Sequence, residues 1–147
     1  MKRLKKELDD LSNSTEFSLG KSSSDEIHVG FRMDVEQCIY TGCSYTIRLE
    51  IPSGYPLESP KLFFVTPICH PNIDFKTGEV CLDILKSDWS PSWDLMSVCR
   101  AVKLLLCDGN PSSPLNCDAA SLLREGDIVG FESLARLYVC DLNLASK

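Results

Sequence analysis

His70, Asn72 and Cys81 stand close together in the run His70-Pro71-Asn72-Ile73-Asp74-Phe75-Lys76-Thr77-Gly78-Glu79-Val80-Cys81. A cysteine thiolate is the natural side-chain nucleophile for acyl transfer. An asparagine amide aimed at a developing oxyanion can be worth about 10²–10³ in rate. Gly78 lies between Asn72 and Cys81, so a loop that folds back would bring the two together, and the pair fits thioester chemistry. A turn asparagine beside a buried cysteine, with no chemistry at all, is the commoner meaning of the same residues. A cysteine–histidine hydrolase is the third reading, and it needs a base within hydrogen-bond reach of the sulfur plus a group that orients the base. His70 precedes a proline, which biases it toward extended backbone and toward pinning the turn.

The other cysteines narrow the chemistry. The chain has eight, at 38, 43, 69, 81, 99, 107, 117 and 140, with no Cys-x-x-Cys pair and with only His28 and His70 to supplement them. Zinc sites draw ligands pairwise from tight turns, so no metal site is expected and most of these thiols read as small core residues. The net charge is −6, from 15 Lys plus Arg against 21 Asp plus Glu, without a basic patch of the kind phosphate binding needs. No nucleic-acid partner is expected. Apolar runs such as Leu62–Val65 and Leu104–Cys107 are four residues long, against about 18 or more for a membrane span. Residues 1–11 lack the apolar stretch of a signal peptide, so a cytoplasmic chain with reduced cysteines and no direct membrane insertion is expected.

The elements that must position these residues follow from periodicity. Met1, Leu4, Leu8 and Leu11 recur at helical spacing, and Lys2, Arg3, Lys5 and Lys6 crowd the start of that helix. Cations there oppose the helix dipole, so the cluster reads either as a solvated face or as a docking surface for an acidic partner. From residue 17 the period becomes two: Phe17 and Leu19, then Ile27 to Val35, then Cys43 to Ile51, then the buried run Leu62–Val65. Short sequential connections favour a four-stranded antiparallel meander with one face against helices. Residues 66–91 hold no sustained period and read as a long functional loop. Helices follow, one from Leu95 capped by Asp94, one capped by Asn116 and running to Leu123, and one capped by Asp127. The expected class is α+β, a single domain over residues 1–147.

Several motifs carry a resemblance beyond the spacing. They are His70-Pro71-Asn72, Gly78-x-Val80-Cys81-Leu82-Asp83-Ile84-Leu85, Trp89-Ser90-Pro91, Tyr55-Pro56-x-x-x-Pro60-Lys61, Lys2-Arg3-Leu4-x-Lys6-Glu7-Leu8 and Asn110-Pro111-x-x-Pro114-Leu115. Together they resemble the ubiquitin-conjugating enzyme family across essentially the whole chain. Phe75-Lys76-Thr77-Gly78-Glu79, Ser97-Val98-Cys99-Arg100-Ala101 and Ser113-Pro114-Leu115-Asn116-Cys117-Asp118 are most similar to its peroxisomal, peroxin-four-type branch.

The resemblance implies a fold with an N-terminal helix, a four-stranded meander, an active-site loop and C-terminal helices. It implies that Cys81 accepts ubiquitin as a thioester from the ubiquitin-activating enzyme, which uses the ATP, so the chain itself needs no cofactor. Cys81 is then expected to be exposed and the other seven cysteines mostly buried. Asn72 takes the oxyanion or loop-organising role, His70 a structural one, and Asp83 with Ser113 the acceptor gate. Lys2, Arg3, Lys5 and Lys6 become the activating-enzyme surface, and Leu57, Ser90 and Pro91 the surface for a RING-type ligase. The branch implies a peroxisomal membrane recruiter, action at the cytosolic face of peroxisomes, and transfer to the cycling import receptor. A non-catalytic ubiquitin-binding scaffold on the same fold is the alternative, but inactive relatives of that kind lack the cysteine. Ser113 departs from the acidic residue many relatives carry there. A free lysine is neutral at pH 7 only about once in 2,500 molecules, so an amine acceptor gains more from a nearby base than a thiol does. Ser113 is therefore compatible with cysteine acceptors or with phosphorylation.

Overall fold

The computed structural model describes residues 2–23, 25–36, 38–109 and 115–145. Its elements run α1 (Lys2–Ser12), β1 (Phe17–Ser22), β2 (Glu26–Arg32), β3 (Ser44–Glu50), β4 (Lys61–Phe64), α2 (Leu95–Cys107), α3 (Cys117–Arg124) and α4 (Ile128–Ala145). The strands form one four-stranded antiparallel sheet in the order β1-β2-β3-β4, the expected meander. Alternation decides its faces: Ile27, Val29 and Phe31 of β2 and Tyr45, Ile47 and Leu49 of β3 are buried, while the residues between them are not. Phe31 stands edge-on to Phe17 and to Phe64, with ring centroids 6.1 and 6.4 Å apart, which joins β1, β2 and β4 in one apolar layer.

The strand β2 is shorter than the alternation through Val35 predicts. Met33 closes the ladder, donating its N–H to the Cys43 carbonyl and accepting from Gly42, after which the chain leaves the sheet. Val35 belongs to the turn, where its carbonyl accepts the Thr41 hydroxyl. Alternation reports which face a side chain points to, and it continues through a residue whose backbone has already turned away.

Helix α2 lays Leu95, Val98, Cys99, Val102 and Leu106 into the core. The three expected caps form: Asp94, Asn116 and Asp127 each accept, through Oδ1, the N–H three residues on, from Ser97, Ala119 and Gly130, at 2.7, 3.2 and 2.8 Å. Each such cap is worth about 1 kcal/mol. Helix α1 packs on β1 and α2, burying Leu4, Leu11 and Glu7. That burial offsets the unfavourable cations in its first turn.

Candidate active site

The segment after β4 is a loop by its hydrogen bonding, yet it is anchored throughout. Phe64 N–H donates to the Gly78 carbonyl at 2.8 Å and Val80 N–H to the Leu62 carbonyl at 3.0 Å, so residues 78–80 return along the free edge of β4. Isolated bridges pair Phe63 with Glu79 and Ile73 with Val80. The reversal turns on Asp74, whose Oδ1 accepts the N–H groups of Lys76 and Thr77, both at 2.8 Å. Backbone donation from Thr77, then Lys76, holds the Asp74 carboxylate below its usual pKa range. Gly78 is required at this point. Its φ is +77°, and a Cβ there would lie 2.2 Å from the Phe64 carbonyl oxygen.

The fold-back brings Cys81 to Asn72. Cys81 N–H donates to the Asn72 carbonyl at 2.8 Å, and Asn72 N–H donates to His70 Nδ1 at 3.1 Å. Because Nδ1 accepts, the imidazole proton sits on Nε2, which donates to the Leu105 carbonyl at 2.9 Å. That bond satisfies a carbonyl at the C-terminal end of α2. Pro71 contributes as well, its carbonyl accepting from Leu115 and Asn116 just before α3. Each residue of the His70-Pro71-Asn72 run thus holds a different part of the molecule: α2, the approach to α3, and Cys81. His70 is 1% exposed, and burial lowers its pKa to about 4, against a weaker upward pull from the Leu105 carbonyl. With both nitrogens committed to the backbone and the ring neutral, His70 does not serve Cys81 as a base, which removes the cysteine–histidine hydrolase. Asn72 is likewise buried, with its backbone N–H and carbonyl both engaged.

Cys81 is partly exposed, and the Lys86 ammonium lies 3.6 Å from its Sγ. Asp83 opens a short 3-10 turn, Asp83–Leu85, and its carbonyl accepts from Lys86 and Asp88. Exposure alone does not single Cys81 out, contrary to expectation. Among the described cysteines, Cys69 and Cys99 are buried, Cys38 and Cys43 are partly buried, and Cys107 is exposed at the last turn of α2. The thiol environments differ more. Burial pushes Cys69 up to about 11 and Cys99 to about 12, and although Cys107 is exposed as a residue, partial desolvation of its thiol followed by a hydrogen bond with Cys38 pushes it to about 12. Those three stay protonated at neutral pH and are poor nucleophiles. Among the described residues no group of three or more His, Cys, Asp or Glu is arranged to hold a metal. A depression of about 450 Å³, lined in part by Asp25, Glu26, Glu50 and Glu58, draws no residue from the 66–91 loop.

The two surfaces expected to bind partners are physically joined. Leu57 is 79% exposed, Pro91 is exposed, and Ser90 is partly so. Trp89, next to Ser90, donates its indole N–H to the Pro56 carbonyl at 3.0 Å and packs its ring against Tyr55. Lys2, Lys5 and Lys6 project to solvent from α1, but Arg3 turns inward as well, its Nε 2.6 Å from Glu7 Oε1 and its Nη2 2.7 Å from the Trp93 carbonyl. Glu7 Oε2 also accepts the Tyr55 hydroxyl and the Leu95 N–H. This buried carboxylate ties α1, the Tyr55 turn and the start of α2 together. Sequence reasoning missed it because Glu7 falls within a charged run, although its helical spacing with Leu4 and Leu11 puts it on the apolar stripe. Ser113 lies outside the described residues.

Comparisons with known proteins find relatives across most of the chain. Residues 3–139 match the family described as ubiquitin-conjugating enzyme. The chain is 52% identical over 99 residues to Protein PEROXIN-4 of Arabidopsis thaliana, covering 67% of this chain and 63% of that protein. It is 40% identical over 148 residues to Ubiquitin-conjugating enzyme E2 PEX4 of Gibberella zeae, covering 95% and 86% of the two. Among solved structures, Pex4p of H. polymorpha, crystallised in complex with the soluble domain of Pex22p, superposes with a TM-score of 0.85 at 30% identity, covering 95% of each chain.

Proposed function

Because this chain belongs to the ubiquitin-conjugating enzyme family, we propose that it takes the carboxyl terminus of ubiquitin onto Cys81 as a thioester and passes it to a protein acceptor. The observation that carries the reading is the partly exposed Cys81, fixed through its own N–H on the Asn72 carbonyl at the end of the return loop. The backbone there is set before substrate arrives, so little ordering is left to the reaction. Two steps follow. The Cys81 thiolate attacks the activated carboxyl carbon, the thiolate of the activating enzyme leaves, and a thioester forms on Sγ. An acceptor amine or thiol then attacks the same carbon and Sγ departs. Asn72 and His70 act in this scheme by holding the loop, Lys2, Arg3, Lys5 and Lys6 by meeting the activating enzyme, and Leu57, Ser90 and Pro91 by meeting a RING-type ligase. Asp83 and Ser113 are assigned to the acceptor gate on the family resemblance alone.

Kinship with proteins of the peroxin-4 type supports a peroxisomal role, and we propose the import receptor as the acceptor. Among the described residues no helix is long and apolar enough to cross a membrane. We infer attachment through a protein of the Pex22p kind, the partner in the H. polymorpha structure. Incubation with activating enzyme, ATP and ubiquitin should give an adduct that reductant removes and that Cys81→Ala abolishes. A chase with free cysteine should discharge it faster than a chase with free lysine. Absence of the adduct with ubiquitin and with related modifiers sinks the reading, and equal discharge by both chases sinks the acceptor preference.

A further inference from the structure

Two thiols that the proposed reaction leaves unused meet beside the His70 anchor. Cys38, in the connection between β2 and β3, and Cys107, the last residue of α2, line one depression of about 240 Å³ together with Tyr40, His70, Leu106 and Phe131. The Cys107 thiol hydrogen-bonds to Cys38. The backbone is fixed on both sides of the contact. The Cys38 carbonyl accepts the Thr41 N–H at 2.9 Å, the Tyr40 hydroxyl donates to the Cys69 carbonyl, and Asp108 N–H closes α2 on the Leu104 carbonyl at 3.1 Å. Neither thiol is sealed from solvent, Cys38 being partly buried and Cys107 exposed. A small reagent therefore reaches a pair of sulfurs already held together.

We propose that Cys38 and Cys107 form a reversible disulfide, with a low-molecular-weight disulfide such as glutathione disulfide as the oxidant, that clamps the β2–β3 connection to the end of α2. The inference does not depend on the thioester reading, in which neither sulfur takes part. Cys107 is the member held protonated, so Cys38 attacks first. Its thiolate displaces one glutathione thiolate and leaves a mixed disulfide on Cys38. Cys107 then loses its proton, attacks Cys38 Sγ and releases the second glutathione. The two protons of the protein thiols go to the two leaving thiolates, and the two electrons the protein loses reduce the glutathione disulfide. The bond falls where it can act on the return loop. Leu105, whose carbonyl holds His70 Nε2 at 2.9 Å, lies two residues before Cys107. Gly109, two residues after it, packs so closely on the ring that a Cβ there would stand 3.1 Å from Nε2. A cross-link at Cys107 thus fixes the helix end that anchors His70 and, through His70 and Asn72, the backbone of Cys81. It also closes a loop of about 70 residues, which removes entropy from the unfolded chain.

The test is to equilibrate the purified full chain in mixtures of reduced and oxidised glutathione, block free thiols with an alkylating agent and map disulfides by mass spectrometry. Cys81→Ala runs in parallel, so that Cys81 cannot supply a partner sulfur. Both proteins should yield a Cys38–Cys107 linked peptide that excess dithiothreitol removes, formed at a rate independent of protein concentration. Oxidation should raise the thermal midpoint by about 5 °C or more and slow amide hydrogen exchange in peptides spanning residues 70–81 at least threefold. Cys107→Ser should stop at the mixed disulfide on Cys38, and Cys38→Ser should take up glutathione on Cys107 at least tenfold more slowly. Neither serine variant should gain thermal stability on oxidation. Absence of the linked peptide under excess glutathione disulfide, a bridge between other cysteines or between two chains, or an equal midpoint shift in either serine variant overturns the proposal. A Cys38–Cys107 bridge without slower exchange at residues 70–81 overturns the clamp on the return loop. None of these outcomes bears on thioester formation at Cys81, which activating enzyme, ATP and ubiquitin test separately.

Discussion

The sheet of residues 17–64 and the return loop of residues 66–91 lie side by side, and they are held by different kinds of interaction. In the sheet every second side chain enters one apolar layer, and neighbouring residues do the same job as one another. In the loop each anchor acts once. Asp74 closes one turn, Gly78 makes one close approach to Phe64, His70 reaches one carbonyl of α2, and Asn72 accepts the N–H of Cys81. A redundant layer loses stability in proportion to the volume removed. A set of single anchors loses the position of whatever it holds, here a nucleophile.

The sharpest way to break this contrast is to make a large hole in the sheet. Leu49→Ala, at a fully buried position, should cost about 2–5 kcal/mol in urea unfolding, yet thioester formation per folded molecule should stay within about twofold of wild type. A collapse of charging in that folded variant would show that sheet and loop are one unit.

The next effect is a pH dependence carried by His70. Its folded pKa, about 4, lies below the unfolded value of 6.5 because the ring is buried neutral. The unfolded chain therefore binds a proton that the folded one refuses. The contribution is fully present above pH 6.5 and is lost as pH falls toward 4, a span corresponding to about 3 kcal/mol. Carboxylates also titrate over this range, so the readout is the difference between wild type and His70→Gln. The variant should be less stable at pH 7 but should lose less on acidification, and parallel curves would remove His70 as the source.

The smallest effect separates two glycines of similar backbone. Gly42, with φ +86°, lies in the turn before β3, where a Cβ would approach nothing closer than the Arg32 Nη2 at 3.8 Å. Gly42→Ala should cost only the left-handed backbone penalty of about 1–2 kcal/mol and should leave charging alone. Gly78→Ala adds the collision with the Phe64 carbonyl and the loss of a hydrogen bond, about 2–3 kcal/mol in total, and should slow thioester formation more than tenfold. Equal charging in the two variants would contradict the anchoring role of the return loop.

Much of this was legible from residue types. The alternation at Ile27, Val29 and Phe31, the caps at Asp94, Asn116 and Asp127, and the meeting of Cys81 with Asn72 all follow from local rules that act within a few residues or through a recognised motif. Other features were hidden. Glu7 reads as one more charge in a charged run until Tyr55, Leu95 and Arg3 arrive around it from distant parts of the chain. Cys107 reads as core filler, since its spacing does not show that the last turn of α2 leaves it exposed. Arg3 reads as wholly solvent-facing, although its guanidinium also bonds the Trp93 carbonyl.

By itself the sequence determined the α+β order of elements, the apolar face of each, the turn chemistry around Gly78, and the family through motifs that span the chain. These depend on backbone preference and periodicity, which are local. Only the tertiary structure decided that His70 spends both nitrogens on the backbone, that a buried carboxylate joins α1 to the Tyr55 turn, and that an amine lies beside the Cys81 sulfur. Hydrogen bonds and close contacts depend on distances of a few tenths of an ångström between residues far apart in sequence, and no local rule carries that information.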